Sequence, residues 1–255
     1  MTSHEQRPER RFSNRVADYV RYRPSYPPEL LAWLRETIGF SPAWRVADIG
    51  SGTGIFARLL LDHGNIVYGV EPNQAMRAAA EEALAGQERF VSVAGNAEAT
   101  TLSGACVELI AAAQAFHWFE PMATRREFQR ILMPGGRVLV VFNSRRNDAS
   151  PFMRAYDDYL TANAVDYGQV DHRLVSPERL HAFLGDYHEW KATFSVFKEY
   201  DAVRGLSSSS SYVPSPSHPK YAAFYDGLRE LVAAHAVNGR VEFFYETNAY
   251  LGTVD

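Results

Sequence analysis

Short apolar segments alternate with helix-patterned segments between Arg45 and Asn143. The apolar segments have the length of buried strands and read "WRVADIG", "NIVYGVEPN", "RFVSVAGNAEA", "VELIAAAQAFHWF" and "RVLVVFN". Helices are predicted at "GIFARLLLDHG", which a glycine ends, at "QAMRAAAEEALA", which Asn73 caps, and at "EPMATRREFQRILMPGG", which proline and glycine close. A loop replaces the helix before the fourth strand. Continuous apolar strands interleaved with helices predict an α/β fold with a parallel sheet covered on both faces.

The flanking segments predict a lid and a cap around this core. Ser13 can cap a short helix to Arg21, and "PPELLAWLRETI" predicts a second helix. After Asn143 the pattern predicts helices at "PFMRAYDDYLTANA", "SPERLHAFL" and "HPKYAAFYDGLRELVAAHA", and antiparallel strands at "EWKATFSVFKEY" and "RVEFFYETNAYLGTV". We therefore expect a single domain, with N-terminal lid helices over 1–40, a ligand-binding core over 44–143, and cap helices with closing strands over 144–255.

Composition excludes several classes of function. The 255 residues are 46% hydrophobic and 22% charged with a net charge of -4, and no basic block points to nucleic acid. Neither a signal peptide nor a membrane span is predicted. A lone cysteine, Cys106, fits a reducing, cytoplasmic setting. The histidines have no metal-ligand spacing, so no metal is expected, and four are predicted to lie at the surface: His63, His172, His181 and His188.

Polar residues follow the predicted strands where each strand ends: Asp48, Glu71, Asn96 and Gln114. In an open parallel sheet, ligands bind beyond these carboxyl ends. Three alternating glycines follow the first strand in "VADIGSGTG", at Gly50, Gly52 and Gly54. Such a loop lets a ligand approach the backbone, although it can also serve as a tight turn.

Two ligand classes fit the glycine loop. A G-x-G-x-x-A match at Gly52, Gly54 and Ala57 allows a dinucleotide. Asp48 disfavours a pyrophosphate and favours the cationic amine and sulfonium of S-adenosylmethionine (SAM). Glu71 can accept hydrogen bonds from ribose hydroxyls in either case. Met76 can pack on adenine or belong to the core.

The motifs "VADIGSGTG", "GVEPNQAM", "GNAEA", "AAAQAFHWF" and "ILMPGGRVLVVFN" together resemble those of class I SAM-dependent methyltransferases. Within that family the chain is most similar to the small-molecule type 11 group, which includes trans-aconitate methyltransferase-like proteins. "RVADYVRYRPSYP" and "VEFFYETNAYLG" also resemble the ends of that subgroup. The resemblance implies a Rossmann-like sheet of seven strands, mostly parallel, with an antiparallel strand near its end.

The resemblance also implies a SAM site. Asp48 and the glycine loop are expected to contact the methionine part, Glu71 the ribose, and Asn96 with Ala97 the adenine edge. Asn96 departs from the aspartate that is common there, which weakens the hydrogen bond to the adenine amino group. The predicted cofactor-binding residues are Arg23, Asp48, Gly50, Ser51, Gly52, Gly54, Glu71, Pro72, Met76, Asn96, Ala97 and Gln114.

Methyl transfer from a sulfonium is a direct displacement, so the protein mainly supplies alignment and exclusion of water. His117 in "QAFHWF" is the candidate for orienting or deprotonating an acceptor, and packing at a helix start is its alternative. Trp118, Phe119 and Tyr22 are predicted to line the substrate pocket. Arg23 can pair with the SAM carboxylate from a lid, or belong to a helix that covers the sheet. The serines 207–211 and "SHP" can line the acceptor pocket or form a solvated loop.

The leading hypothesis is an enzyme that transfers the methyl group of SAM, leaving S-adenosylhomocysteine, to a small molecule. The protein is expected to be a monomer or homodimer that binds neither nucleic acid nor membrane. A non-catalytic SAM-binding regulator and an NAD-dependent oxidoreductase are the alternatives. The charge balance gives no support to RNA or protein as the acceptor.

Overall fold

A computed structural model describes residues 21–165, 167, 175–210 and 212–254 of the chain. The helix predicted to begin at Ser13, the first half of the predicted lid over 1–40, His172 and Ser211 lie outside these residues. The first half contains α1 (Glu29–Ile38), β1 (Arg45–Ile49), α2 (Ile55–His63), β2 (Ile66–Val70), α3 (Gln74–Ala83), β3 (Phe90–Val93), β4 (Val107–Ala113), α4 (Pro121–Ile131) and β5 (Leu132–Arg145). The second half contains α5 (Pro151–Asn163), α6 (Pro177–Leu184), β6 (His188–Lys198), α7 (Tyr200–Ser208), α8 (Tyr221–His235) and β7 (Val241–Gly252).

The strands form one seven-stranded sheet in the order β3-β2-β1-β4-β5-β7-β6. The first five strands pair in parallel, and β7 runs antiparallel to both β5 and β6. The predicted mostly parallel α/β sheet with an antiparallel strand near its end is therefore confirmed. Strand order reverses between β1 and β4, which is where ligands bind in such sheets.

Two apolar clusters cover the two faces of the sheet. One contains alternate residues of β1 such as Ala47 and Ile49, and the other contains Val46 and the α1 residues Leu30 and Leu34. The helix α1 was expected to belong to the lid. Its buried leucines show that it packs into the core. The chain just before it, at Arg23–Tyr26, lies at the carboxyl ends of the parallel strands.

The cap has an apolar core of its own. Side chains of α5, α7 and α8 pack against β7, with Tyr156 and Phe243 among the largest fully buried ones. The N-terminal segment is joined to this unit: Lys198 donates a hydrogen bond to the Tyr22 carbonyl oxygen at 3.1 Å, and the Tyr22 ring lies directly over Gly205.

One of the two interpretations of the serine run was wrong. The serines from Ser207 onwards do not form a solvated loop, because Ser207 lies in the last turn of α7, which ends at Ser208, and Ser209 and Ser210 are also buried. Their hydroxyls donate to main-chain carbonyls one turn back, so they need no water.

The helix predicted to be closed by proline and glycine is α4. It ends at Ile131, before Pro134, and proline disfavours helical backbone at the residue before it. The strand β5 begins at Leu132 and is therefore longer than the predicted segment "RVLVVFN".

We predict that Gly205→Ala destabilises the protein. An exposed helix interior would gain about 1 kcal/mol from this change. Here the new methyl would lie 2.0 Å from the Tyr22 ring, so the free energy of unfolding should fall by about 1–3 kcal/mol. Urea unfolding measures the effect. In a Tyr22→Ala background the same change should become stabilising, and stabilisation in both backgrounds would refute the contact.

Candidate functional site

A cavity of about 190 Å³ lies at the carboxyl ends of the parallel strands, beneath the cap. Eight of the predicted site residues line it: Arg23, Asp48, Gly50, Ser51, Gly52, Gln114, His117 and Trp118. The other predicted residues do not: Tyr22, Gly54, Glu71, Pro72, Met76, Asn96, Ala97 and Phe119. The methionine end of the predicted SAM site and the catalytic candidate thus share one cavity, whereas the predicted ribose and adenine residues lie outside it.

The three loop glycines have left-handed backbone, but for different reasons. A Cβ at Gly50 would lie 2.6 Å from the Ala115 Cβ, and one at Gly54 would lie 2.7 Å from Leu84 Cδ1. At these two positions the protein's own side chains fill the space where a Cβ would lie, so glycine is required by packing. A Cβ at Gly52 would meet nothing within 4 Å. Gly52 is therefore the position where the loop backbone is open to a ligand.

Asp48 carries a buried carboxylate without a partner. Its residue is 1% exposed, and neither oxygen has a hydrogen-bond partner among the described residues. The pKa of Asp48 is raised to about 7, mainly by burial and in addition by the nearby Glu71 carboxylate. The Ala57 N–H offsets part of the rise without reaching hydrogen-bond geometry. A cationic ligand group in the cavity would supply the missing compensation.

Glu71 holds the glycine loop. Its Oε2 accepts the Gly52 N–H at 3.0 Å and its Oε1 accepts the Asn73 N–H at 2.9 Å. The side chain of Asn73 in turn caps α3. Pro72 lies between these residues, and its carbonyl accepts a hydrogen bond from Arg77 at 2.9 Å. The acid that was singled out as a ribose ligand therefore also fixes the conformation of the open loop.

The predicted adenine residues lie on the next two elements. Met76 is buried in α3, and Ala97 is buried in the core beneath the loop after β3. Asn96 is exposed, and its Oδ1 accepts the Ala99 N–H at 2.8 Å. One lone pair of that amide oxygen thus serves the local turn, and the other remains for a ligand.

Some residues of the segment after β4 line the cavity, and others pack into the core. Phe116–Trp118 form a single 3₁₀ turn, and the His117 ring lies 4.8 Å from the Trp118 ring. These two residues line the cavity. Phe119 instead packs into the core against Phe128, with ring centroids 6.2 Å apart. Gln114 has a left-handed backbone, with φ 60°, and donates from Nε2 to the Asn143 carbonyl at 2.7 Å.

Asn143 is a site residue that sequence reasoning did not single out. Its Nδ2 donates to the Ser25 carbonyl at 3.1 Å, and its Oδ1 accepts from Thr247 at 2.6 Å. It therefore ties the N-terminal segment and β7 to the end of β5. The signal was available, because Asn143 ends an apolar strand in the same way as Asp48 does.

Arg23 reaches the cavity from the N-terminal segment. Its Nε donates to Ser209 Oγ at 3.0 Å, and its Nη2 is 3.3 Å from Ser210 Oγ. The serine run therefore helps to shape this wall, as one of its two interpretations predicted. Tyr22 lies against Gly205 and is not part of the lining.

A cluster of tyrosines around Arg145 was also missed. Arg145 donates to Tyr167 OH at 2.8 Å and to Tyr212 OH at 3.2 Å, and its guanidinium carbon lies 5.2 Å from the centre of the Tyr156 ring. These residues come from four separate segments of the chain, so no local motif reveals them. Only the folding of the cap over the sheet brings them together.

Comparison with known proteins identifies the family. A family profile described as "Methyltransferase domain" matches residues 47–140. An uncharacterized methyltransferase of Mycobacterium tuberculosis is 32% identical over 225 residues, which is 88% of this chain and 86% of the relative. The chain belongs to the methyltransferase family. An uncharacterized methyltransferase-like protein of Schizosaccharomyces pombe is 30% identical over 94% of this methyltransferase and 93% of its own length.

Solved structures share the fold of this methyltransferase. One is a putative type II methyltransferase from Anaeromyxobacter dehalogenans, with 24% identity, a TM-score of 0.64, and coverage of 91% of this chain and 98% of that chain. Another is a phosphoethanolamine N-methyltransferase of Haemonchus contortus in complex with SAM, with 15% identity, a TM-score of 0.52, and coverage of 94% and 57%. None of the helices in the described ranges is long and apolar enough to cross a membrane.

We predict that Asp48→Asn stabilises the methyltransferase at high pH. The folded pKa of Asp48, about 7, exceeds the unfolded value of about 4. The folded state therefore binds the proton more tightly, and its stability falls as pH rises from about 4 to 7. The variant resembles the protonated acid, so it should exceed the stability of the wild type by only about 1 kcal/mol at pH 4.5 and by about 4 kcal/mol at pH 8.

Urea unfolding at the two pH values measures this difference. Asp62→Asn, at an exposed position of α2, is the matched control for the removal of one carboxylate. A stability gain of Asp48→Asn that is the same at pH 4.5 and pH 8 would contradict the assignment.

Proposed function

We propose that the protein transfers the methyl group of SAM to a small-molecule acceptor. The observation that carries this proposal is the partnerless, buried carboxylate of Asp48 next to the open backbone at Gly52. SAM brings cationic ammonium and sulfonium groups, which a carboxylate in a poorly solvated site stabilises. A dinucleotide would instead place a negatively charged pyrophosphate next to this carboxylate, and the two groups would repel each other. Structures of this fold with bound SAM support the choice of cofactor.

The residues present fit SAM along its length. We assign its cationic methionine end to Asp48 with the backbone of Gly50, Ser51 and Gly52, and its carboxylate to Arg23. Glu71 is assigned to the ribose, since carboxylate oxygens accept hydrogen bonds from hydroxyls. Pro72, Met76, Asn96 and Ala97 are assigned to the adenine side. SAM supplies the activated methyl group when it is bound.

The acceptor is assigned to the part of the cavity beneath the cap. His117 and Trp118 line it from the sheet side, and Leu206 of α7 lines it from the cap. A cavity of about 190 Å³ suits a small organic molecule. His117 is proposed to orient the acceptor or take its proton. The chain near Arg23 and the cap helices are proposed to close over the bound ligands.

We predict that Gly52→Ala abolishes SAM binding. The new methyl would stand in the open space where the ligand approaches the loop. Gly86→Ala is the matched control, since Gly86 also has a left-handed backbone with nothing within 4 Å of its Cβ position, but does not line the cavity. The two variants carry similar backbone strain.

Calorimetry with SAM, S-adenosylhomocysteine and NAD measures binding. The wild type and Gly86→Ala should bind the first two, and Gly52→Ala neither. Binding of NAD without binding of SAM would refute the proposed cofactor, and unchanged SAM affinity in Gly52→Ala would refute the loop assignment.

Activity is tested with SAM labelled in its methyl group and a metabolite extract. A labelled small molecule should form with the wild type and not with Gly52→Ala. Binding of SAM without any labelled product would favour a non-catalytic SAM-binding regulator.

A further inference from the structure

The end of β5 brings a positive charge into the cavity. Arg145 is its last residue and lines the cavity wall opposite β1. The charged residues of that lining, within the described part of the chain, are Arg23, Asp48 and Arg145. When a cationic cofactor group pairs with Asp48, Arg23 and Arg145 leave the cavity with a net positive charge.

Arg145 has no carboxylate partner among the described residues. Within the described ranges its side chain donates two hydrogen bonds, both to tyrosine hydroxyls, which leaves three of its five N–H donors for other partners. The nearest acid in this network is Asp157, which accepts a hydrogen bond from Tyr167 OH at 2.5 Å and from Asn147 at 2.6 Å. Asp157 therefore positions Tyr167 and does not neutralise the guanidinium directly.

Tyr245 supplies a second, independent observation. It is 3% exposed and lines the same cavity, and its hydroxyl has no hydrogen-bond partner among the described residues. Burial raises the pKa of Tyr245, whereas the Arg145 and Arg23 cations oppose the rise. The hydroxyl is thus a neutral donor in a positive field. Buried hydroxyls normally have a partner, and a ligand atom would provide one.

A guanidinium with unused donors beside a partnerless hydroxyl is a site for an anion. We propose that Arg145, Tyr212 and Tyr245 bind a carboxylate or phosphate monoester of the methyl acceptor, which is therefore an organic anion. This inference rests on the proposed function. The strand β4 separates β1 from β5, so Arg145 lies two strand spacings, roughly 10 Å, from the strand that carries Asp48. That separation assigns the anion to the acceptor and not to the cofactor.

The proposal is tested by anion binding without SAM. The probes are benzoate, succinate and phenyl phosphate, with benzamide and succinamide as uncharged counterparts. Calorimetry should detect binding of at least one anion and a much weaker response to its amide. Binding of benzoate or succinate alone identifies a carboxylate site, and binding of phenyl phosphate alone identifies a phosphate site. Equal binding of anions and amides, or no binding of any anion, would overturn the proposal.

Two variants connect the binding to the residues. Arg145→Gln should weaken anion binding about 100-fold, and Tyr245→Phe about 10-fold, as expected for hydrogen bonds to a charged group. Tyr245→Phe should not lower the melting temperature, because no described residue forms a hydrogen bond with its hydroxyl. It remains informative if Arg145→Gln fails to fold.

Tyr156→Phe is the matched control. Tyr156 is also a buried tyrosine next to Arg145, but its hydroxyl bonds to Ser207 at 2.9 Å and it does not line the cavity. It should bind the anion as the wild type does. The SAM affinity should be unchanged in all three variants. A lower SAM affinity in Arg145→Gln with unchanged anion binding would place Arg145 at the cofactor and overturn the proposal. Failure of the wild type to bind SAM would instead refute the proposed function.

Discussion

The site depends on a negative charge confined at the end of a buried strand. β1 is covered by apolar clusters on both faces, so the carboxylate of Asp48 is buried, and no donor in the described part of the chain forms a hydrogen bond with it. The surrounding parts are arranged around this charge. The glycine loop leaves space beside it, and Glu71 keeps the loop open by accepting the Gly52 N–H. Instability of this kind at a binding site is relieved by the ligand that supplies the missing charge.

The sequence was sufficient to predict the sheet and to predict that Asp48, the glycine loop and Gln114 lie together at the carboxyl ends of its strands. Five apolar segments gave the parallel strands, and the rule that polar residues at strand ends meet at one edge identified Asp48 and Gln114 as neighbours in space. Periodicity sufficed here because each strand and the residue after it are contiguous in the chain. The same rule would have identified Asn143, which ends the predicted fifth strand "RVLVVFN".

The residues of the proposed acceptor site could not be predicted in the same way. Arg145, Tyr212 and Tyr245 are far apart in sequence, and only the packing of the cap on β7 brings them together. The serine run was misjudged for a related reason. Its composition is typical of a solvated loop, but serines in a helix can satisfy their hydroxyls on the preceding turn and become buried under tertiary packing.

The cap packs around an apolar core that is separate from the two cores of the sheet. Substitutions in α7 and just after it, at Leu206, Ser210 and Tyr212, therefore alter the roof of the cavity without disturbing β1 or the glycine loop. Stability effects at distant, independent sites are additive, so the two halves can accumulate changes separately. This arrangement would let related enzymes change the acceptor that they methylate while they keep the same methyl donor.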